Sequence, residues 1–322
     1  MRGEEEMVQS PGVESTAYPW QGEFPVDIEG ARALIGTQFP DLSLANLELL
    51  GSGWDNDVWL TDGWAFRFPR RAFGAQAIET ELEVLPWLAS KLPLAIPRPQ
   101  LLGIPQGKYP ARFYGHRKLE GEGSDTITLS GDDRGRLAGT LAGFLRALHG
   151  VEVGDSEEGP EVPLDGFRSN LRGASERALQ LLASVAVESL SDAEKERIIE
   201  ELTAVLPDPG EEAAVLLHGD LYSRHLLIDD GGSLAAVIDW GDLCLGERAL
   251  DLAVVYSWLP PPARQGFFGE YGEVSGEVRE RARRRALSNH GVSLLCYACQ
   301  VGDSLLESDA LRAIRGILES GP

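Results

Sequence analysis

Two acidic residues at the ends of neighbouring apolar runs are the strongest chemical feature of the chain. Asp220 follows the apolar run that ends at Leu217, and Asp239 ends the next apolar run. His225 lies between the two acids. Phosphoryl transfer between oxygens needs one carboxylate to orient the attacking hydroxyl and others to hold magnesium on the phosphates. The pattern therefore predicts this chemistry, with Asp220 as the catalytic carboxylate and Asp239 as a ligand of Mg²⁺.

A glycine-containing turn near the start of the chain is a candidate for binding nucleotide phosphates. Gly51, Ser52 and Gly53 lie between predicted strands, and Arg67 lies on a strand that follows. Glycines let backbone N–H groups approach a phosphate, and a guanidinium can hold its oxygens. A turn with two glycines is, on its own, more typical of a plain hairpin, and Arg67 could be a surface charge. The position of the turn before Arg67 favours the phosphate interpretation.

The helix predicted at 73–91 offers three glutamates that could form an ion pair with Arg67. Helical geometry places Glu81 beside the buried apolar stripe, whereas Glu79 and Glu83 turn away from it. We therefore predict that Glu81 points inward and braces Arg67. The alternative is that all three glutamates form a solvated face.

The hydrophobic pattern divides the chain into a first part rich in strands and a second part rich in helices. Strands are predicted at 45–70, where the pair Asp62-Gly63 is a strong signal for a hairpin turn, and again within 95–120. Two short strands joined at Asp229–Ser233 precede Asp239 in the central motif. Periodic leucines and cap-like residues predict helices at 73–91, 132–150, 168–190, 192–206 and from about 247 onwards.

This order of elements predicts an α+β fold with three regions. Residues 1–20 are expected to be a poorly ordered lead-in. Residues 21–120 are expected to form a nucleotide-binding N-lobe, and residues 121–322 a mainly helical C-lobe that carries the catalytic loop and the acceptor site. Asp251 precedes an apolar segment in the C-lobe, where it is expected to cap a helix and brace the catalytic loop.

The charge of the chain restricts its partners. The net charge is −22, with 51 acidic and 29 basic residues. Nucleic acid is not an expected partner, because phosphate backbones bind basic surfaces. A cationic small molecule is compatible with this charge, since an acidic cleft speeds its encounter. An acidic surface also simply keeps a protein in solution, so charge alone does not identify the substrate.

The remaining composition is that of a cytoplasmic enzyme without a membrane partner. No apolar run approaches the roughly 18 residues that a membrane span needs, and the N-terminus lacks the pattern of a secretory signal. The three cysteines, all after residue 240, cannot form a complete disulfide framework. Cys296 and Cys299 lack neighbours for a zinc or redox site, and we expect them to be buried helix residues.

Taken together, these motifs resemble the aminoglycoside phosphotransferase family, which shares the protein-kinase-like fold. The resemblance spans roughly residues 45–260 and is similar in places to the aminoglycoside 2″-phosphotransferase and macrolide phosphotransferase branches. The matching segments are His218-Gly-Asp-Leu, Ile238-Asp-Trp-Gly-Asp with Gly246 and Asp251-Leu-Ala, Gly51-Ser-Gly-Trp-Asp-Asn-Asp-Val, and Phe66-Arg-Phe-Pro-Arg. The resemblance implies a two-lobed protein-kinase-like fold with a β-rich N-lobe and a mainly helical C-lobe.

The resemblance also implies roles for individual residues. The metal-binding Asn of the family is His225 here, as in macrolide-type members, which implies that His225 lies at the metal. The N-lobe Lys of the family is Arg67 here, whose fork geometry differs, so the choice between ATP and GTP is open. The segment between the lobes is expected to contact the base through the backbone of Arg117, Lys118 and Leu119.

The implied activity is transfer of the γ-phosphoryl group of ATP or GTP to a hydroxyl of an aminoglycoside-like antibiotic. The acidic loop at 151–165, with Asp242 and Glu247, favours a cationic acceptor of this kind. A macrolide kinase is the first alternative, because the apolar and aromatic run Val254 to Pro262, with Trp258, would suit a large apolar ring.

Two further alternatives remain open. One is a kinase of a small metabolite such as choline, a sugar or homoserine. The other is a nucleotide-binding pseudokinase module without transfer activity, which the replacements at Arg67 and His225 would explain. The presence of both Asp220 and Asp239 argues against the pseudokinase module.

Overall fold

The computed structural model of the chain describes residues 22–153, 159–205 and 213–320. The predicted lead-in at 1–20 lies outside the described residues, and so does the stretch 154–158 of the predicted acidic loop. In the described ranges, no helix combines the length and the apolar character that a membrane crossing requires.

A five-stranded antiparallel sheet forms the first part of the chain, in the order β1-β2-β3-β5-β4. The central strand β3 is buried along its whole length, as its apolar sequence requires. Helix α1 (Ile28–Gln38) packs against the aromatic side chains of this sheet. The strands are β1 (Glu48–Ser52), β2 (Asn56–Thr61), β3 (Trp64–Pro69), β4 (Leu101–Gly103) and β5 (Phe113–Arg117).

The hairpin between β2 and β3 is the turn that the sequence predicted. Asp62 and Gly63 both have positive φ angles, +50° and +73°. A two-residue type I′ turn requires this conformation at both of its central positions. Thr61 pairs with Trp64 directly before and after the turn. The turn thus fixes the register of β3, the strand that carries Arg67.

Helix α2 (Ala72–Leu88) follows β3 and ends earlier than the predicted 91. Its buried face contains Glu81, which is only 1% exposed, whereas Glu79 and Glu83 are exposed. The prediction that Glu81 alone points inward is confirmed. The last turns of α2 continue into the core of the C-terminal helices through Leu85 and Leu88.

The second part of the chain is mainly helical, as predicted. Helix α4 is shorter than the predicted 168–190, because Asn170 caps its start and the backbone becomes extended at Val185. The predicted cap of α5 is present as a capping box between Ser191 and Glu194. The helices are α3 (Gly131–His149), α4 (Leu171–Ser184), α5 (Asp192–Thr203), α6 (Ala249–Trp258), α7 (Pro261–Tyr271), α8 (Gly276–Arg285), α9 (Leu294–Val301) and α10 (Ser304–Ser320).

Five short strands form two further small sheets, and four of the strands belong to the central motif. Strands β8 and β9 form the predicted hairpin at Asp229–Ser233, and β6 pairs with β8. Strand β7 pairs with β10, so the strands that precede Asp220 and Asp239 belong to different small sheets. The short strands are β6 (Glu122–Gly123), β7 (Val215–Leu217), β8 (Leu226–Ile228), β9 (Leu234–Val237) and β10 (Cys244–Gly246).

The largest hydrophobic core holds these parts together. It contains Leu85 of α2, Leu145 of α3 and Trp258 of α6. Leu221 and Trp240, which are neighbours of Asp220 and Asp239 in the chain, belong to the same core. Because both acids adjoin residues buried in one core, their backbone positions are fixed by packing.

Candidate active site

The turn after β7 places Asp220 at the end of the strand. Gly219 has a φ angle of +89°, in the region that side chains disfavour. A Cβ atom at this position would overlap the carbonyl oxygen of Asp242. Only glycine therefore allows the chain to turn here and present Asp220.

A buried carboxylate holds this turn in place. Asp251, in the first turn of α6, accepts hydrogen bonds from the backbone N–H groups of His218 (2.8 Å) and Gly219 (3.0 Å), and His149 Nε2 lies 3.2 Å from it. Loss of hydration would raise the pKa of Asp251, but His149, His218 and the backbone of Gly219 together hold the pKa below its usual range. The predicted brace is confirmed. The predicted cap is wrong, because the N-cap of α6 is Arg248.

A neutral histidine links the two segments that carry the acids. His218 Nε2 lies 2.9 Å from the carbonyl oxygen of Ile238, and the backbone N–H of Asp220 donates to His218 Nδ1 at 3.3 Å. Burial lowers the pKa of His218, and the nearby His225 lowers it further. The uncharged ring can therefore donate with one nitrogen and accept with the other.

His225 brings Asp220 and Asp239 to one place. Its Nδ1 lies 2.7 Å from the backbone oxygen of Asp220, and its Nε2 lies 3.5 Å from Oδ2 of Asp239. A carbonyl oxygen only accepts hydrogen bonds, so Nδ1 carries the proton and Nε2 faces the carboxylate. The Asp220 side chain is 38% exposed and that of Asp239 is 46% exposed. The backbone carbonyl of Asp220 and the carboxylate of Asp239 thus meet at a single imidazole, and both acidic side chains are partly exposed.

Arg67 lies between two carboxylates at the other side of Asp239. Its Nη2 contacts Asp239 Oδ1 at 2.5 Å and Glu81 Oε1 at 3.2 Å. Burial raises the pKa of Glu81, although Arg67 and a hydrogen bond from Tyr114 (2.7 Å) oppose the rise. Loss of hydration would also raise the pKa of Asp239, but Arg67 and then His225 hold it well below its usual range. The sheet, α2 and the segment after β9 therefore meet at this ion pair.

Asp239 occupies a strained backbone position. Its φ angle is +64°, a conformation that costs of order 1–3 kcal/mol in residues other than glycine. The next residue, Trp240, is buried and donates from Nε1 to the carbonyl of Val237 at 3.0 Å. The anchored indole and the contact with Arg67 hold Asp239 in this orientation.

The predicted phosphate-binding segment is exposed, but Gly51 and Ser52 belong to strand β1 and only Gly53 lies in the turn that follows. Arg70, to which the sequence analysis gave no role, lies beside this segment. Gly51, Ser52 and Gly53 are all exposed. The hydroxyl of Ser52 donates to Asp57 at 2.6 Å. Arg70 donates from Nη1 to the Ser52 hydroxyl (2.9 Å) and to the Gly53 carbonyl (2.6 Å). The turn therefore has a cation beside it that the prediction did not include.

The predicted base-binding segment is partly engaged within the protein. Lys118 donates its backbone N–H to a carbonyl of the β2–β3 turn at 2.9 Å. His116 Nδ1 donates to the Arg117 carbonyl at 2.8 Å, and the Arg117 guanidinium stacks on Trp64 at 4.0 Å. Leu119 is half-buried. Contacts of this segment with a base stay a prediction.

Arg168 is a site residue that sequence reasoning missed. Its guanidinium forms an ion pair with Asp242, and its Nη1 lies 3.9 Å from Asp220 Oδ1. Asp165 accepts a hydrogen bond from the backbone N–H of Arg168 at 2.7 Å and so shapes the turn. The pattern of Asp165 followed by glycine signals a turn. It gives no sign that the turn reaches Asp220, which is far away in the chain.

The pKa of the Asp242 carboxyl group is raised, mainly by burial. Burial raises its pKa to about 7, against the lowering effect of Arg168. The carboxylates of Asp220 and Asp239 add to the rise. The site therefore contains an acid that titrates near neutral pH beside the predicted catalytic residue.

The prediction of a cationic acceptor rested in part on three acids that form hydrogen bonds or ion pairs within the protein. Asp165 accepts hydrogen bonds from three backbone N–H groups in its own turn. Asp242 is paired with Arg168, and Glu247 is paired with Arg281 through both carboxylate oxygens. These acids therefore do not supply unpaired negative charge to an acceptor, which corrects that part of the sequence argument.

The apolar run that favoured a macrolide acceptor is mostly buried. Trp258 is 1% exposed, and Val254 and Val255 are completely buried in the largest core. Other members of the run, including Leu259 and Pro261, line a cavity that contains none of the predicted site residues. The run therefore does not form an apolar acceptor pocket beside Asp220.

No group of three or more histidine, cysteine or acidic side chains in the described ranges is placed to hold a metal ion. His225 and Asp239 form a pair only. Of the two C-terminal cysteines on α9, Cys296 is buried as predicted and Cys299 is half-buried. A metal at Asp239 would need further ligands from outside the protein.

The model of the phosphotransferase enzyme family matches residues 46–287 of the chain. This range includes every predicted site residue, from Gly51 to Asp239. It also includes Asp251, the predicted brace, and Arg168, whose position only the structure revealed.

Solved structures of similar fold include antibiotic phosphotransferases. The complex of APH(2″)-IIIa with GDP and kanamycin is 23% identical, covers 90% of this chain and 97% of that chain, and has a TM-score of 0.65. The ternary complex of APH(2″)-IIa with streptomycin and ATP is 20% identical, with coverage of 90% and 99% and a TM-score of 0.57. The apoenzyme of macrolide 2′-phosphotransferase MphH from Brachybacterium faecium is 21% identical, with coverage of 88% and 98% and a TM-score of 0.58. At this identity, the comparison shows that the two-lobed kinase-like fold is shared.

Proposed function

The chain belongs to the phosphotransferase enzyme family, and we propose that it moves the γ-phosphoryl group of ATP or GTP to a hydroxyl group of an aminoglycoside-like antibiotic. The observation that carries the proposal is that His225 contacts the backbone carbonyl of Asp220 and the carboxylate of Asp239, while both acidic side chains are partly exposed. Proteins of similar fold bind kanamycin with GDP and streptomycin with ATP, which supports both the donor and the acceptor class.

Asp220 is the proposed catalytic residue. Its backbone is held by the glycine turn and, through His218 and Gly219, by the buried carboxylate of Asp251. A rigid carboxylate can align the acceptor hydroxyl and accept its proton as the phosphoryl group transfers. Arg168, 3.9 Å away, keeps a positive charge beside the reacting groups.

The nucleotide is proposed to lie between the exposed segment 51–53, at the end of β1, and Arg67. Both contacts of Arg67 with carboxylates use Nη2, which leaves Nη1 for a phosphate oxygen. Glu81 fixes the guanidinium from the side of α2, and Arg117 to Leu119 are the proposed contacts of the base. In this arrangement residues 21–120 form the nucleotide-binding lobe, and residues 121–322 supply catalysis and acceptor binding.

The residues at Asp239 fit a magnesium ion that is shared with the nucleotide. Magnesium takes one or two carboxylates from a protein and completes its octahedron with phosphates and water. Asp239 is half-exposed, and the proton on Nδ1 of His225 leaves Nε2 as a possible ligand beside it. Bound there, Mg²⁺ would neutralise charge on the phosphates, and Asp239 and His225 would hold it.

The cationic nature of the acceptor is supported by long-range charge and by the family. The net charge of −22 attracts a polyamine from a distance. Asp242 is paired with Arg168 and Glu247 is paired with Arg281, so specific recognition of the ammonium groups rests on other contacts.

A macrolide is the second candidate acceptor, because a macrolide 2′-phosphotransferase has the same fold at similar coverage. A macrolide has one amine on a large apolar ring, and the described residues beside Asp220 include charged groups such as Arg168 and Asp242. The charged surroundings favour the aminoglycoside.

The test is a phosphorylation assay read by mass spectrometry. The purified chain is incubated with Mg²⁺ and either ATP or GTP, and with kanamycin, streptomycin or a macrolide. We expect one added phosphate on an aminoglycoside, and a loss of about 10²–10⁴-fold in kcat for Asp220→Asn. Asp230→Asn, on an exposed turn, is the matched control. Undiminished turnover by Asp220→Asn would exclude a catalytic role for Asp220. Phosphorylation of the macrolide but of neither aminoglycoside would show that the acceptor is a macrolide.

A further inference from the structure

The cavity lined by Leu259 and Pro261 lies where the C-terminal end of α6 meets α7 and α10. Its volume is about 460 Å³, and none of the proposed active-site residues line it. Among the described residues that line it, four are arginines and one is a glutamate, Glu319. In a chain with a net charge of −22, this is a local reversal of sign. We refer to it as the arginine cavity.

Arg264 of α7 is a buried cation whose hydrogen bonds go to neutral groups. It is 7% exposed and donates to the carbonyl oxygens of Leu259, Tyr256 and Gly316 and to the hydroxyl of Ser320. Within the described residues, no carboxylate lies within ion-pair distance of it. Burial lowers the pKa of Arg264 to about 10, and nearby Arg283 adds to the lowering. Its charge is thus held rigidly but is not neutralised.

Arg134 of α3 is a second cation of this kind at the same cavity. It donates from Nη1 to the carbonyl of Leu129 at 2.6 Å, while its buried Nε has no hydrogen-bond partner among the described residues. Burial lowers the pKa of Arg134 to about 10, and the charge of Arg312 lowers it further. A buried donor without a partner is costly, so an anion that reached it would be stabilised.

The other two arginines of the cavity are already neutralised. Arg312 is paired with Asp309, and Arg315 is paired with Glu194 at 2.9 Å. The excess positive charge therefore resides on Arg134 and Arg264, and the lining glutamate, Glu319, offsets only part of it. This difference gives the cavity an internal control, because four arginines line one space but only two of them have no ion-pair partner in the part of the chain that the structure describes.

We propose that the arginine cavity binds a small organic anion that carries a carboxylate or phosphate group on an apolar body. Guanidinium groups bind both anions with charge-assisted, often bidentate hydrogen bonds. Leu259, Pro261 and Leu311 line the same space and would cover the apolar part. The volume is within the range of about 300–1,000 Å³ that is typical of small-molecule sites.

The cavity is also prepared for such a ligand before it binds. Arg264 is fixed by four acceptors from α6, α10 and the α6–α7 connection, so its side chain loses little freedom on binding. The proposed ligand is neither the nucleotide nor the cationic acceptor, because the cavity shares no residue with the site around Asp220.

The test is isothermal titration calorimetry on the full chain saturated with ADP and Mg²⁺. The probes are phenyl phosphate, benzoate and inorganic phosphate, at constant ionic strength because salt screens these contacts. We expect phenyl phosphate and benzoate to bind more tightly than inorganic phosphate. Arg134→Gln should weaken phenyl phosphate about tenfold, which corresponds to about 1.4 kcal/mol.

Two control variants separate local recognition from net charge. Arg136→Gln removes the same charge from an exposed position on the same helix, and Arg315→Gln removes a neutralised arginine of the cavity. Both should change the affinity less than twofold. Arg134 makes a single backbone contact, so its variant is expected to fold, whereas Arg264 joins several elements.

Three results would overturn the proposal. They are an absence of binding by both organic probes, equal losses in Arg134→Gln and Arg136→Gln, and inorganic phosphate binding as tightly as phenyl phosphate. Binding is measured without turnover, so the outcome is independent of which antibiotic the enzyme modifies.

Discussion

Asp242 provides a sharp test of the electrostatics of the site. Its pKa is raised from 3.8 to about 7 by burial and by the carboxylates of Asp220 and Asp239, against the effect of Arg168. A group whose pKa is raised on folding stabilises the protein below its unfolded pKa, and this contribution is lost as the pH rises through the folded pKa. The shift corresponds to about 4 kcal/mol. Ionised Asp242 therefore destabilises the fold above pH 7.

The perturbation is Asp242→Asn, which keeps the shape and removes the titration. Between pH 5 and pH 8, wild-type protein should lose about 2–3 kcal/mol of unfolding free energy relative to the variant. The assay is urea unfolding of both proteins across this pH range, in the absence of nucleotide and magnesium. Asp230→Asn removes the same charge from an exposed turn and reports the general effect of net charge.

Two outcomes decide whether this reasoning holds. A stability difference between wild type and Asp242→Asn that does not change with pH would refute it. Arg168→Met provides a second check, because it removes the charge that opposes the rise and should move the transition to higher pH. The transition belongs to a cluster of interacting charges, so its midpoint describes the surroundings of Asp242 as well as Asp242 itself.

Three further substitutions test the architecture of the site. Gly219→Ala should abolish turnover and lower the melting temperature. The φ angle at this position is +89°, and the added Cβ would overlap the carbonyl oxygen of Asp242. Normal activity of the variant would show that the turn can shift. Glu81→Gln should raise KM for the nucleotide about tenfold, because it releases Arg67. The control is Glu83→Gln, at an exposed position on the same helix. Equal KM values for the two variants would exclude the brace. Asp251→Asn should cost about 3 kcal/mol at pH 7 in urea unfolding. That cost should shrink below about pH 4, where the lowered pKa of the wild-type residue no longer adds stability, and a constant cost would contradict the assignment.

Much of the local structure could be predicted from the sequence. The Asp62-Gly63 pair fixed a type I′ turn because its two residues are among the few that tolerate positive φ angles. Helical periodicity identified Glu81 as the inward glutamate because the angular spacing of side chains on a helix does not depend on the rest of the fold. Both predictions rest on contacts within a few residues of the chain.

Helix ends were predicted less well, because capping interactions depend on single side chains. The cap by Asn170 starts α4 later than its periodicity indicates, and the extended backbone at Val185 ends it earlier. Helix α6 begins at Ala249 with Arg248 as its N-cap, so Asp251 is a first-turn residue that faces inward to the catalytic loop.

Local patterns in the chain already indicate which residues can perform chemistry and which face of an element they occupy. Which charges meet depends instead on the packing of elements that are distant in the chain. Arg168 forms an ion pair with Asp242, and Arg281 forms one with Glu247, although no local sequence pattern near these acids predicts either partner. The same holds for Arg134, which comes from α3 to line a cavity formed mainly by later helices. Two charges interact strongly only when they are close in space. Their distance depends on how the helices pack and not on a local pattern of residues.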